Sequence, residues 1–537
     1  MNDMNRSAAR LLFAGIFLVS AITQGKAQTL DANSTYRKFE YLIRIISDNY
    51  VDSVSEKELT EKAITTMLED LDPHSVYIPK EEVDEMNRDL RGNFDGIGIR
   101  FQIYKDTIMV INTLPGGPSE KLGMMAGDKI VEIDGKQVAG NGIKNQGVRD
   151  KLMGPRGTKV VVKVTRKGQK DPIEYTITRD KIPIFSMDAS YMVTKDIAYI
   201  KLNNFSATTM SEFFVAMDSL KKVGMKSLIL DLQGNGGGYL STAEALCDEF
   251  ISGEKLLVYT KGRTYPRKDT YASVTGKFEK GKLVVLVDES SASASEIVTG
   301  AVQDWDRAMV VGRRSFGKGL VQKPWNLPDG SQIRLTTQRY YTPSGRCIQK
   351  SYADGVDEYR KEKIERYTHG EFYSKDSIKV PDSLKFYTQI NHRLVYGGGG
   401  IIPDVFVPVD TSENSTYFAQ LWRKGVFNNF CLEYVDKNRN ELKKQYPDFE
   451  TFKKKFVVDK KFTDEFVAFG EKEGVKFNEA DYKTSKNLID VRLRATIAQN
   501  IWDYKAFYPI INELNDSLTK AIEVINGNQF KELKIVY

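Results

Sequence analysis

Twice between residues 181 and 350 the chain carries a short apolar run straight into a loop of small residues and then into a helical pattern. KSLILDL (226–232) passes through QGNGGG (233–238) into LSTAEALCDEF, and KLVVLVD (282–288) passes through ESSASAS into EIVTGAVQD. Runs too apolar to alternate are strands buried in a sheet. IAYIKL and AMVVG are further strands, and TTMSEFFVAMDSLKKVG is an amphipathic helix with Phe213, Met217 and Leu220 on one face, stopped at Gly224. Strand, loop and helix repeated in this way make an α/β core. The loops and helix N-termini then collect at one edge of the sheet, where ligands bind. LVQKPWNLPDGSQIRLTTQRYY reads as a hairpin turning at Pro328-Asp329-Gly330.

The remainder of the 537 residues exceeds one domain, and 41% hydrophobic with 28% charged residues is ordinary for a globular chain. The net charge of +6 is spread among interspersed acids and bases, which excludes a nucleic-acid binder as the natural expectation. Arg6 and Arg10 precede the twelve-residue apolar run Leu11–Ile22, followed by Gly25 and Ala27 at cleavage-site spacing. Residues 1–27 therefore read as a secretory signal peptide, because the run is short for a membrane span. The three cysteines, Cys247, Cys347 and Cys431, form no CxxC pair, and the three histidines, His74, His369 and His392, are scattered. Neither a disulfide framework nor a metal site is expected.

Residues 28–91 read as helical, with Leu42, Ile45, Ile46, Ala63, Ile64, Met67, Leu68 and Leu71 at helical spacing, closing at LDPHSVYIP (71–79). Residues 92–180 change to glycines and short strands (TIMVINTL, DKIVEIDG, TKVVVKVTRKG, IEYTITRD), with SEKLGMMAGDKI as a short helix ending in Gly127; the pattern is that of a small, partly open β-barrel. Residues 351–396, charged and poor in pattern, look like an insertion or long loop, and 397–410 return to strand composition. Residues 411–537 are helical, with Ile489, Leu493, Ile497 and Ile501 in one stripe. That stripe suits a bundle packing its own core better than a partner-binding module.

Two loops carry chemistry. QGNGGG is not followed by the Lys and Ser/Thr of a phosphate loop, so its backbone N–H groups suit an oxyanion, or simply a tight turn. The serine cluster offers a nucleophile at a helix start, or only the capping box Ser293-x-x-Glu296. In SFGKGLVQ (315–322), Lys318 stands between glycines and is either a base or a solvated loop lysine. A base must be neutral, and burial favours the neutral amine. Four residues of regular strand span about 13 Å. Gln322 can therefore orient Lys318 only if the backbone between them departs from strand.

SASASEIVTGAVQD, FGKGLVQ, ILDLQGNGGG, YYTPSGRCIQK, GGGGIIPD and LDPHSVY, taken together over residues 71–404, resemble the carboxyl-terminal processing peptidases, also called tail-specific proteases. The resemblance implies a multidomain α/β protein: a crotonase/Clp-like protease core (181–350), a PDZ domain inserted before it (92–180), and helical N- and C-terminal regions. It implies a serine endopeptidase with Ser293 as nucleophile, Lys318 as general base and Gln322 orienting it, and the N–H groups of Ala294 and Gly237 as oxyanion donors. DGIGIRF (95–101) matches a PDZ carboxylate-binding loop, so Gly96, Ile97, Gly98 and Ile99 are expected to hold a substrate's terminal carboxylate while the peptide adds to the sheet edge. No cofactor or metal is implied. Partners are proteins or peptides with a free C-terminus, with an adaptor protein and a homodimer as further expectations. The location is the cell envelope, periplasmic by family analogy. Where the family's loop often carries a proline, this chain has Gly236. His74 reads as structural. Two other classes stay open: a catalytically inactive PDZ-containing binding protein on the same core, and an acyl-CoA enzyme on the related fold, which would lack both the PDZ module and the leader.

Overall fold

The apolar runs assemble into a six-stranded sheet ordered Met187–Met192, Ile197–Leu202, Ser227–Asp231, Leu283–Val287, Met309–Gly312 and Val405–Phe406. The first pair is antiparallel and the other four are parallel. Every residue of Ile197–Leu202, Ser227–Asp231 and Leu283–Val287 is buried, as strands covered on both faces require. On one face, helices Thr209–Lys222, Leu240–Asp248 and Ala294–Asp304 bury Phe213, Met217, Leu246, Ile297 and Val298 against Leu230 and Val285. On the other, Leu518, Ala521 and Val524 of helix Asp516–Asn526 cover Ile229, Val284 and Val311. The C-terminal region thus supplies one layer of the core, which its helical periodicity alone does not reveal.

The computed structural model describes residues 35–273 and 275–535; the expected leader, 1–27, lies outside the described residues. Contacts divide the chain into two units, one of Met1–Pro79 with Pro324–Leu335 and one of the rest. In the smaller unit a helix over 35–49 is followed by Glu56–Glu69, capped by Ser55 Oγ accepting from Glu58 N at 3.2 Å. Strand Val76–Ile78 pairs antiparallel with 332–334. The expected apolar stripe is present, but Leu42, Ile45, Met67 and Leu71 are exposed and only Leu68 of it is buried. His74 sits in a turn built on Asp72, whose Oδ1 accepts the amides of His74 and Ser75.

In the larger unit, residues 96–178 form a sheet ordered Ile99–Tyr104, Thr107–Thr113, Lys129–Ile133, Lys159–Thr165 and Ile173–Thr178, with Ile108, Val110, Ile130, Val160 and Val162 in its core. Strand Ile99–Tyr104 is an edge. The helix expected to run to Gly127 spans only Pro118–Lys121, because the chain turns through Gly123 and Gly127 at positive φ. A second helix, Asn145–Leu152, completes the module.

Residues 351–396 are not a loop. They contain the helix Val356–Thr368 and a hairpin of Lys385–Tyr387 with Leu394–Tyr396. That helix buries only Tyr359 and Arg366, so it lacks the apolar stripe by which a helix is recognised. The stripe Ile489, Leu493, Ile497 and Ile501 is buried in a separate aromatic-rich core with Phe430, Phe452 and Phe466.

Candidate active site

Strand Ser227–Asp231 ends in a loop held from all sides. Asp231 Oδ1 accepts Gln233 N at 2.8 Å, and Gly234 N donates to Asp288 Oδ1 at 2.9 Å. Asn235 is fully buried; its Nδ2 donates to Leu202 O at 2.8 Å and its carbonyl accepts Ala292 N and Ser295 Oγ, both at 2.9 Å. Asn235 therefore ties the glycine loop to the serine turn, a role its place in QGNGGG did not disclose. Gly237 has φ +103°, and a Cβ built there would lie 2.8 Å from Ser293 Cβ and 2.9 Å from Ala294 N. Only a hydrogen fits, so the glycine loop lies directly against the serine.

Ser293 stands at the start of helix Ala294–Asp304 with φ 54° and ψ −113°. A non-glycine residue there is strained by ~1–3 kcal/mol and persists only where its surroundings hold it. All of Ala294–Asp304 is buried, whereas Ser293 is partly exposed. The capping box contributes too: Ser293 N donates to Glu296 Oε2 at 2.9 Å. Capping and the partial exposure of Ser293 are two consequences of one turn rather than rivals.

The Ala294 N–H has no acceptor among the described residues, as expected for the first amide of a helix. The Gly237 N–H donates to Asn235 Oδ1 at 2.9 Å, while the amides of Gly236 and Gly238 have no acceptor among the described residues. An oxyanion reaching Gly237 N has to replace the Asn235 carbonyl.

Lys318 lies where the chain is irregular. Gly317 has φ +91°, and strand Leu320–Asn326 begins only two residues after Lys318. Lys318 Nζ donates to Gln322 Oε1 at 2.8 Å. Lys318 is half-buried and Ser293 and Lys318 share two partners. Glu296 Oε2 accepts both backbone amides, and Tyr340 Oη lies within hydrogen-bond distance of both backbone carbonyls, which share its single hydrogen. Glu296 is completely buried, and desolvation pushes its carboxyl up to about 7 against the hydrogen bonds it accepts from Ser315, Lys318, Gly317 and Ser293.

In the 92–180 region, Gly98 has φ +74°, and the amides of Ile97 and Gly98 have no acceptor among the described residues. Ile97 O accepts Ser119 Oγ at 2.6 Å, and Gly98 O accepts Leu114 N at 2.9 Å, which fixes the loop. Gly96 pairs with Asp180, and Ile99 opens the edge strand. Ile99, Phe101 and Ile103 pack on the module's core. From the other face of that strand Gln102 bonds Asn429 at 3.0 Å, so the module's back rests on the C-terminal helices. The three cysteines are free thiols, and burial pushes those of Cys247 and Cys431 far up.

The model of peptidase family S41 matches residues 196–358, a PDZ domain 96–177, and the activating protease CtpB N-terminal domain 16–82; a family of unknown function matches 417–503. The chain is 36% identical over 348 residues to a carboxy-terminal-processing protease of Bartonella bacilliformis, covering 63% of this chain and 79% of that protein. It is 30% identical over 449 residues to the carboxy-terminal processing protease CtpB of Bacillus subtilis, covering 81% and 89%. Among solved structures it is similar to a photosystem II D1 C-terminal processing protease at 26% identity and TM-score 0.35, covering 69% of this chain and 92% of that one.

Proposed function

Since the chain belongs to peptidase family S41, as a serine-type carboxy-terminal processing protease with a PDZ domain, we propose that it is an exported endopeptidase that captures protein C-termini on that domain and cleaves them by a Ser–Lys mechanism. The observation that carries the mechanism is the 2.8 Å hydrogen bond from Lys318 Nζ, in the irregular segment before strand Leu320–Asn326, to Gln322 Oε1 within it. A neutral amine has two N–H donors and one lone pair. Giving one N–H to the Gln322 carbonyl orients the lone pair, and a neutral partner does not favour the charged amine.

In the reaction, Lys318 Nζ takes the proton from Ser293 Oγ as Oγ bonds to the peptide carbonyl carbon. The negative charge formed on the carbonyl oxygen is met by the N–H of Ala294 and by that of Gly237 once it leaves Asn235 Oδ1. Collapse breaks the C–N bond, and the lysine proton goes to the leaving amine. Water, deprotonated by Lys318, then releases the acyl group and returns the proton to Ser293. The substrate's terminal carboxylate is held by the amides around Ile97 and Gly98, and its last residues add to the edge of Ile99–Tyr104. Export rests on Arg6, Arg10 and the apolar run Leu11–Ile22, and the periplasm is the compartment proposed. A homodimer is supported by the exposed Tyr41, Leu42, Ile45 and Met67 of the N-terminal helices.

The test is digestion of a mildly unfolded protein with an apolar C-terminal tail by mature wild type and Ser293→Ala. Cleavage by wild type alone is expected. Cleavage by both would remove Ser293 from the mechanism, and two inert proteins would favour the binding-protein alternative or a missing activator.

A further inference from the structure

We propose that Glu296 and Tyr340 are positioning residues of the reaction, a paired clamp that fixes the backbones of Ser293 and Lys318 relative to each other; this rests on the Ser–Lys reading above. On one side, Glu296 Oε2 accepts Ser293 N at 2.9 Å and Lys318 N at 2.8 Å, while Oε1 accepts Gly317 N at 2.7 Å and Ser315 Oγ at 2.5 Å. On the other, Tyr340 Oη lies 3.0 Å from Ser293 O and 2.5 Å from Lys318 O. Glu296 and Tyr340 are both buried. Neither touches the reacting atoms in the mechanism, so both act through the residues they hold.

The clamp matters because a peptide unit is rigid and trans. Its C=O and the next N–H point in opposite directions, so fixing one aims the other. Holding Ser293 O aims Ala294 N–H, the proposed oxyanion donor. Glu296 N at 2.8 Å and Ile297 N at 3.0 Å hold the same carbonyl from the helix, which leaves Tyr340 the bond that ties it to the lysine loop. Lys318 O is tied to Tyr340, and Gly319 N of the same peptide unit donates to Gln349 Oε1 at 2.7 Å. With Lys318 N on Glu296, both peptide units around Lys318 are pinned, which sets the direction of its side chain. Ser293 needs the same restraint, because its φ of 54° is not one an unsupported serine keeps.

The chemistry of Glu296 fits this role. Four donors from the serine turn and the lysine loop converge on it, and none of its bonds is an ion pair. In its ionised form the carboxylate accepts from all four donors; a glutamine would turn an NH2 toward two of them.

The experiment compares mature full-length wild type with Tyr340→Phe, Glu296→Gln, the double variant, Ser293→Ala and Lys318→Ala. It reads kcat and KM on one tailed peptide, and the melting temperature of each. Tyr340→Phe, which removes a single oxygen, should lower kcat by about tenfold or more, and Glu296→Gln by about a hundredfold, because small misplacements of reacting groups have effects of that size. KM should stay within about twofold, the mark of an interaction that serves the transition state. The double variant should fall well short of the product of the two losses, since both residues hold one geometry. If Ser293→Ala and Lys318→Ala are inactive while Tyr340→Phe keeps kcat within about twofold, the clamp is wrong and the dyad stands. A kcat loss no larger than the unfolded fraction also overturns it. If Ser293→Ala is active, the Ser–Lys reading itself fails. Should Glu296→Gln not fold, Tyr340→Phe decides alone.

Discussion

Replacing Gly237 with alanine should remove activity, and the size of the effect follows from the geometry around one hydrogen atom. The new Cβ would lie 2.8 Å from Ser293 Cβ, 2.9 Å from Ala292 O and 2.9 Å from Ala294 N. Ordinary contacts begin near 3.4 Å, so the serine turn or the glycine loop has to move by about half an ångström. Neither yields readily: Ala292 N is bound to Asn235 O, Ser293 N to Glu296, and Gly237 O to Phe205 N. The φ of +103° adds backbone strain for any L side chain. Strain of ~1–3 kcal/mol and overpacking of ~1–3 kcal/mol together put the loss of stability at roughly 2–6 kcal/mol. The displacement falls on the proposed nucleophile and on both proposed oxyanion donors, so kcat/KM should drop by at least about a hundredfold in whatever fraction stays folded. The control is one residue away. A Cβ on Gly236 would meet nothing within 4 Å, and its φ lies outside the left-handed region, so Gly236→Ala should be neutral or stabilising by up to ~1 kcal/mol. Thermal melts and cleavage of a tailed peptide, run on both variants, decide the matter. If Gly237→Ala cleaves within about threefold of wild type, the close approach of glycine loop to serine has no catalytic meaning.

Two further outcomes follow from charge. Burial raises the Glu296 carboxyl to about 7 in the folded chain, whereas in the unfolded chain it titrates near 4.3. Between those values the folded state keeps a proton that the unfolded state has released. This contribution to stability is therefore complete below about pH 4 and is lost as pH rises to about 7, an effect of order 4 kcal/mol. Melting curves of Ser293→Ala from pH 5 to 8 should show that slope, and adding Glu296→Gln should flatten it; an unchanged slope would mean that Glu296 does not titrate there. Gln322→Glu would place a carboxylate 2.8 Å from the Lys318 amine and hold it charged. The rising limb of the pH–rate profile should then move up by at least about one pH unit, with little activity left at pH 7, and an unmoved limb would count against lysine as the base.

The broad plan was legible because it is written in local signals. Apolar runs leading into small-residue loops specify buried strands with loops at one sheet edge, and six spaced motifs specify the family. The glycines on either side of Lys318 mark it as standing outside regular strand, and strand Leu320–Asn326 begins only after it.

Elsewhere local signals misled. The stripe through Leu42, Ile45, Met67 and Leu71 has the period of a packed face, yet those side chains are exposed. The helix Val356–Thr368 has almost no apolar face. It is held by charge instead, with Arg366 donating to Ser315 O and Arg314 O and Lys350 paired with Glu362. Polar docking of that kind leaves no periodicity to read.

What the sequence determined by itself is which segments are strands and helices, which loops carry small residues, and which chemical groups sit on them. The tertiary structure alone decided how those groups meet. Tyr340 is one tyrosine among 27 in the chain. It becomes a clamp because strand Gln332–Tyr341 ends where the serine turn and the lysine loop converge. Glu296 is legible as a cap, but the three other donors on its carboxylate come from a loop some twenty residues away in sequence. The occupation of Gly237 N–H by Asn235 is set by a loop closed over its own side chain. Spacing along a chain reports period and chemistry, whereas a hydrogen bond depends on position and direction in space, which sheet order and loop closure set.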